Sequence, residues 1–202
     1  MPDPNGQLPL WPFATAQEIK EVLEWRTDVL QARAGEQRIA LRSRPREIVA
    51  FRHRLDALGM ARAAELARAG FAGEWLVPLW QMALQPDADL AQGAAEVLLD
   101  TSLSDFRVGG LVAIAVDGGD AALAEIAAIQ SDRLILLEPL ALQLPGMTVA
   151  ARRITVVPVR AGVLTSAVEI VRRRQGDGTV SSSFLLCDAE RVNNFETVAF
   201  GL

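Results

Sequence analysis

The amino-acid sequence predicts a mainly β protein with a short α-helix. Three observations lead to this prediction: a long segment in which apolar and charged residues alternate, a later series of short apolar runs separated by turn residues, and a second hairpin signal beyond them. The chain has 202 residues, of which 50% are hydrophobic. Such a composition is enough for one sizeable core or two small ones.

Residues 19–55 predict one long β-hairpin with its turn at Ala34-Gly35. On the first strand, one face carries Leu23, Trp25, Thr27 and Val29. On the second strand, apolar and basic residues alternate between the two faces. The odd-numbered face carries the apolar residues Ile39, Leu41, Val49, Phe51 and Leu55. The even-numbered face carries Arg38, Arg42, Arg44, Arg46, Arg52 and Arg54. Pro45 cannot donate to the ladder, so it should mark an edge, a bulge or a bend. At about 3.3 Å per residue the hairpin would reach roughly 60 Å, and we expect another subunit to support it.

The remainder of the chain predicts a helix, a group of short strands and a second hairpin. The helix covers residues 56–69 and ends at Gly70. Five short strands are predicted at residues 96–100, 111–116, 125–129, 134–137 and 154–159, a spacing typical of a small SH3-like barrel. Residues 121–128 are rich in alanine and could instead form a helical turn. The second hairpin joins residues 163–174 and 179–188 through the turn residues 175–178.

Charge and hydropathy favour assembly over nucleic-acid binding. The net charge is −5, from 20 basic and 25 acidic residues, which gives no global attraction to DNA or RNA. The arginine rows are better partners for carboxylates, such as Glu24 and Asp28, or for a neighbouring subunit. No secretory signal and no apolar run near the ~20 residues of a membrane span is recognised, so we expect a soluble protein made in a cytoplasm. The mean hydropathy of +0.21 and the apolar end at Phe200 and Leu202 predict that this end docks on a neighbour.

Motifs for catalysis, cofactors or metals are not found in the sequence, and we predict no enzymatic activity, no cofactor and no metal site. His53 is the only histidine and lies on the apolar parity of the long strand, as a packed residue would. Cys187 is the only cysteine and is expected to be a small buried hydrophobe. The acidic residues at 87–89 and 117–120 are expected to be solvated turns. A small hydrolase that uses Cys187, His53 and an acidic residue is the remaining enzymatic alternative.

Several sequence elements, taken in order, resemble the tail-tip proteins of long-tailed bacteriophages. The elements are residues 24–30 (EWRTDVL), 35–42 (GEQRIALR), Pro45-Arg46, 77–80 (VPLW), 106–114, 134–140, Pro145-Gly146 and 157–162. The distal tail proteins and related tail-hub components have similar openings, and the likeness extends over most of the chain.

The resemblance implies a tail-tube-like β domain that forms a ring, possibly hexameric, and contains an inserted small barrel. The ring-forming domain would comprise residues 1–74 and 161–202, with 1–16 as an irregular arm, and the barrel residues 75–160. Its implied partners are further copies of itself, the tail tube protein, and the tail hub and fibre proteins, with DNA only as passing cargo and no membrane contact; its location would be the virion tail. The candidate interface residues are Trp25, Arg42, Arg44, Arg46, Phe51, Arg52, Phe200 and Leu202. The alternative is a carbohydrate- or fibre-binding module of the tail tip that forms no ring.

Overall fold

The computed structural model describes residues 8–13, 17–25, 27–32, 35–40, 45–69, 73–117, 121–140, 148–173, 176–187 and 199–200. These residues are mainly β, with one α-helix among them and a large antiparallel sheet, so the predicted fold class is confirmed. The tail-tube-like and SH3-like details remain predictions.

The chain divides into two compact units. The described residues of the first unit lie in 13–73 and 162–186, and those of the second lie in 8–12, 74–161, Cys187 and 199–200. The sequence-based boundaries, after residues 74 and 160, differ from these divisions by one residue each. Both ends of the chain were predicted to belong to the first unit. Instead Leu10 bridges to Leu76 of the second unit, and residues 199–200 also belong to that unit.

The described residues of the first unit form six strands and the helix. The strands are β1 (Glu18–Glu24), β2 (Thr27–Ala32), β3 (Gly35–Ala40), β4 (Arg46–Leu55), β13 (Glu169–Arg172) and β14 (Gly178–Leu186). Strands β1, β4, β14 and β13 lie side by side in that order, and each neighbouring pair is antiparallel. The last three residues of a longer strand, β12 (Ile154–Leu164), also pair with β14.

The predicted long hairpin is confirmed, but it consists of two ladders. Strand β1 pairs with β4 from Glu18 opposite Arg52 to Glu24 opposite Arg46, whereas β2 pairs with β3 in a separate two-stranded sheet. The first ladder ends at Glu24 opposite Arg46, and the second begins at Thr27 opposite Ala40. Pro45 lies just before β4 and outside both ladders, as expected of a residue that cannot donate a ladder hydrogen bond.

One face of the four-stranded sheet is covered by α1 (Ala57–Ala69). Along β4, the buried side chains alternate with exposed arginines, which confirms the predicted parity over residues 46–55. On the helix, Met60 and Ala63 are buried. The helix begins one residue after its predicted start, and Asp56 caps it: its Oδ1 accepts a hydrogen bond of 2.8 Å from the backbone N–H of Gly59.

The second unit contains the remaining strands. These are β5 (Glu74–Pro78), β6 (Leu90–Ala91), β7 (Glu96–Leu98), β8 (Leu111–Val116), β9 (Ala121–Gln130), β10 (Arg133–Leu136), β11 (Thr148–Val149), the first part of β12 and β15 (Ala199–Phe200). Their order is β12-β8-β9-β10-β7, with β5 on β12, β15 on β9, and β6 on β11. Short 3₁₀ turns occupy Trp80–Met82, Thr101–Leu103 and Ala151–Arg153.

The five strands predicted between residues 96 and 160 are confirmed, since β7, β8, β9, β10 and β12 occupy those positions. The alternative of a helical turn at 121–128 is wrong, because this segment lies inside β9 and pairs with strands on both sides. The core between these strands contains fully buried aliphatic side chains, among them Ile114, Ile126, Leu134, Ile154 and Val156.

A buried arginine fixes the loop before β8 to β12. The side chain of Arg160 is 4% exposed, and its guanidinium lies 2.8 Å from the Asp105 carboxylate, to which Arg107 also donates at 2.7 Å. Partial burial raises the pKa of Asp105, but the hydrogen bonds from Arg107 and Arg160 and their positive charges outweigh it, so the pKa lies below its ordinary value. A buried charge is tolerated when it is paired in this way.

The first prediction concerns the contact between the helix and the sheet. A Cβ built on Gly178 would lie 2.7 Å from the Met60 Cε and would collide with the carbonyl oxygen of Val171. We expect Gly178→Ala to lower the free energy of unfolding by about 1–3 kcal/mol, as overpacking does. The control is Ser183→Ala on the same strand, which should change it by less than about 0.5 kcal/mol. Urea unfolding measures both, and equal stabilities would contradict the packing described here.

The second prediction concerns the pH dependence of stability. Because the folded-state pKa of Asp105 is lowered, its contribution to stability is present above the ordinary carboxylate pKa and is lost as the pH falls through the lowered one. At pH 7, Asp105→Asn should reduce the free energy of unfolding by about 1–2 kcal/mol, a range discounted for its partial exposure. The difference between the two proteins should shrink in acid. Thermal melts from pH 7 to pH 2 measure it, and a constant difference would contradict the assignment.

Candidate assembly surface

The sheet of the first unit ends in two strand edges. Among the described strands, β1 pairs only with β4, and β13 pairs only with β14. An edge strand presents unpaired backbone N–H and C=O groups, which can accept another strand. We call these two strands, with the residues Trp25 and Arg173 that follow them, the β1 edge and the β13 edge.

Apolar side chains are exposed along both edges. On the β1 edge, Val22, Leu23 and Trp25 are 39%, 55% and 59% exposed, and on the β13 edge Val171 is 46% exposed. Large apolar residues that cluster at the surface are typical of a contact with another protein. The two edges therefore combine unpaired backbone groups with apolar side chains that water solvates poorly.

The sheet face opposite α1 carries rows of residues that run across neighbouring strands. Val22, Ile48 and Leu185 form an apolar row, because Ile48 lies opposite each of the others. A parallel row contains Glu18, Arg52, Ser181 and Glu169, which border a shallow groove of about 290 Å³. The Arg52 guanidinium lies 3.9 Å from the Glu18 carboxylate, but both side chains are more than half exposed, so this ion pair stabilises little.

The candidate interface residues differ in their exposure to solvent. Trp25, Arg46 and Arg52 are exposed in the first unit. Phe51 is only 2% exposed and packs against Phe184 and His53, with ring centroids 6.2 and 5.7 Å away. Its assignment as an interface residue is therefore corrected: its parity faces the helix-covered side of the sheet, and it is a core residue.

The remaining candidates lie in or beside undescribed segments. Arg42, Arg44 and Leu202 are outside the described residues. For Phe200 the backbone is described, and it lies opposite Ala121 in the β15–β9 pair of the same chain. The docking of this end on a neighbour stays a prediction.

The β13 edge and the exposure of Val22 and Leu23 were not predicted from the sequence. The predicted second hairpin is present as the β13–β14 pair, but its first arm is interrupted at residues 165–168. The signal was available in Ser166, a turn-type residue within that arm. This interruption leaves β13 as a separate short strand.

The two residues of the hydrolase alternative belong to different units. His53 is fully buried in the first unit, with ring centroids of Phe13 and Phe51 at 5.6 and 5.7 Å. Cys187 is half-buried and belongs to the second unit. Within the described ranges, no group of three or more His, Cys, Asp or Glu side chains could hold a metal ion. No described helix is long and apolar enough to cross a membrane.

No protein-family model matches the chain, and no curated protein is similar to it in sequence. The function is therefore inferred from the geometry and charge of the candidate surface together with the resemblance stated above.

The third prediction compares two adjacent residues of β4. Phe51→Ala should lower the free energy of unfolding by about 3–5 kcal/mol, because it empties a buried aromatic site. Arg52→Ala should lower it by no more than ~1 kcal/mol, because this side chain is 53% exposed. Thermal melts of the two variants measure the contrast. The reverse order of stabilities would mean that the register of β4 is wrong.

Proposed function

We propose that this chain is a structural component of a bacteriophage tail tip, which forms an oligomeric ring and joins the tail tube to the tail hub and fibres. The observation that supports it best is the pair of open edges on opposite sides of one antiparallel sheet. The resemblance to distal tail proteins supplies the biological setting and the tail partners.

The strand directions explain why this sheet favours a ring. Strands β1, β4, β14 and β13 alternate in direction, so β1 and β13 run in opposite directions. When the β1 edge of a second copy comes beside the β13 edge with the same face outward, the new pair is again antiparallel. Each such contact joins unlike edges, and repetition gives a closed ring if the rotation per copy closes.

The hairpin formed by β2 and β3 also fits an assembled protein. These strands pair with each other and with no other described strand. An isolated two-stranded hairpin is marginally stable in water, so support from a neighbouring protein would stabilise it. The tail tube protein and the tail hub are the neighbours that the resemblance implies.

The alternative of a glycan- or fibre-binding module needs exposed aromatic side chains in the second unit. Trp75 is instead 6% exposed and lies edge-on against Trp11, with 5.2 Å between ring centroids. We therefore propose the ring as the function that these observations favour.

The fourth prediction is oligomerisation through the edges. At micromolar concentration the purified protein should form one closed species whose mass is an integral multiple of 21.8 kDa, measured by native mass spectrometry and negative-stain imaging. Leu23→Lys, on the β1 edge, should weaken this association. Leu58→Lys is the matched control, because Leu58 is 78% exposed but lies on α1.

A wild-type protein that stays monomeric over a wide micromolar range would refute the proposed ring. Equal assembly of Leu23→Lys and wild type would exclude the β1 edge as the contact, even if a ring forms.

A further inference from the structure

The sequence of strand β1 complements itself when a second copy of the strand runs beside it in the opposite direction. In an antiparallel pair centred on Val22, each Val22 lies opposite the same residue of the other copy, and Lys20 lies opposite Glu24 twice. Glu21 and Leu23 also lie opposite each other twice. Among these five residues, no two like charges are directly opposite.

We propose that the β1 edge of a second copy docks on the β1 edge in this register, so that the two four-stranded sheets become one continuous sheet. We call this dimer the symmetric pair. It goes beyond the proposed ring, because a copy in the symmetric pair has its β1 edge covered and cannot present it to a β13 edge. The symmetric pair is therefore a form of the protein outside the ring, in which the edge is kept from other strands.

The symmetric pair joins matching faces of the two sheets. On β1, odd-numbered residues lie on the helix-covered face, because Glu21 is opposite the buried Val49 of β4. A register centred on one residue sets odd-numbered residues opposite odd-numbered ones, so both helices lie on the same side. Carried one residue further, the register brings the exposed Trp25 opposite the half-buried Ile19 on both sides of the pair. Such aromatic–aliphatic pairs stabilise neighbouring strands.

Other symmetric registers of β1 are less favourable. A pair centred on Glu21 sets this residue against itself and Glu18 against Glu24 twice, and a pair centred on Lys20 sets two ammonium groups together. Like charges directly opposite on neighbouring strands destabilise a sheet. A pair centred on Leu23 leaves only three residues of each β1 opposite one another. The register centred on Val22 is the one that combines a longer ladder with opposite charges.

Two diagonal contacts of the symmetric pair are repulsive. The two Glu21 side chains are diagonal neighbours, and Glu18 is diagonal to Glu24 of the other copy, at the longer spacing of about 7–8 Å. Arg52 lies 3.9 Å from the Glu18 carboxylate, and Arg46 lies opposite Glu24 on β4, which offsets these charges. Because the charged groups are exposed, their pairs set the register. The backbone groups and the apolar side chains of the edge supply most of the attraction.

Disulfide capture tests the register. In a Cys187→Ser background, Val22→Cys sets two thiols directly opposite in the symmetric pair, with Cβ atoms about 4.5–5.5 Å apart, a separation that a disulfide can close with a small shift. Leu23→Cys is the matched control, since its two thiols would be diagonal. In the same redox buffer, we expect Val22→Cys to give about fivefold or more covalent dimer than the control. A β1–β13 contact brings no residue 22 beside another, so this dimer reports the symmetric pair alone.

Charge reversal tests the ion pairs independently. Lys20→Glu and Glu24→Lys each set like charges opposite each other twice, so each variant alone should dimerise about tenfold or more weakly than wild type. An equimolar mixture should form heterodimers at nearly the wild-type concentration, because both Lys–Glu contacts return. With one variant labelled with ¹⁵N, native mass spectrometry identifies the heterodimer. Mixing restores nothing in a β1–β13 contact, because both changes lie on β1.

Glu65→Lys on α1 is the control for the charge change, because Glu65 is exposed away from the edges and its reversal should leave dimerisation unchanged. Circular dichroism checks the fold. If a reversal variant unfolds, Lys20→Gln and Glu24→Gln take its place, with a weaker loss of dimer and a reduced dependence on salt. Sedimentation velocity over a dilution series follows the wild-type dimer, of twice 21.8 kDa, at concentrations below those at which the ring closes.

The possible outcomes separate the symmetric pair from the ring. Equal capture of Val22→Cys and Leu23→Cys, or a mixture that forms no heterodimer, would refute the symmetric pair whether or not rings form. A ring without any dimer on dilution would also refute it and leave the ring standing. A captured dimer that never gives a larger species would refute the ring and leave the symmetric pair standing.

Discussion

The unpaired edges of an antiparallel sheet are the constraint on which this molecule depends. In the first unit, α1 covers one face of the sheet, and among the described strands the order β1-β4-β14-β13 leaves one open edge on either side. Backbone groups at such edges must bind water or another strand. At the β1 edge, Leu23 and Trp25 are exposed, and water solvates their apolar side chains poorly. In the proposed assembly, one contact pairs the backbone groups of the edges and buries their apolar side chains.

The interior of the first unit shows why the edges, and not the core, are available for recognition. Phe51 and Phe184 fill the covered side of the sheet beside the fully buried His53, so alternate residues of β4 are committed to packing. On the other face of β4, Arg46, Arg52 and Arg54 are exposed, while Ile48 and Ala50 are half-buried. In the second unit the buried Arg160 is paired with Asp105. Both units therefore place their charged groups in water or in ion pairs, as the energetics of burial require.

Local sequence patterns predicted most strand positions, but they did not predict which strands lie at an edge of the sheet. The alternation of apolar and arginine residues was sufficient for β4, and turn residues located β8 and β10, because these signals depend on a few neighbouring residues. The alanine-rich part of β9 has no strong local preference, and its pairing with β8 and β10 decides its conformation. Phe51 was assigned to an interface because sequence parity separates two faces without showing which one the helix covers. The β13 edge was missed because edge strands are defined by the order of strands in space.

The β1 edge is only partly protected against the addition of another strand. Natural proteins commonly protect edge strands with lysine, proline, bulges or short length. Strand β1 has seven residues, no proline, and the single lysine of the chain, Lys20. Its other charges are Glu18, Glu21 and Glu24, so charged side chains give this edge some protection. Its length, the absence of proline and the exposed Leu23 and Trp25 still leave it able to accept a strand. Because β1 and β13 run in opposite directions, strand addition at these edges permits head-to-tail growth, and that is the geometric requirement of a ring.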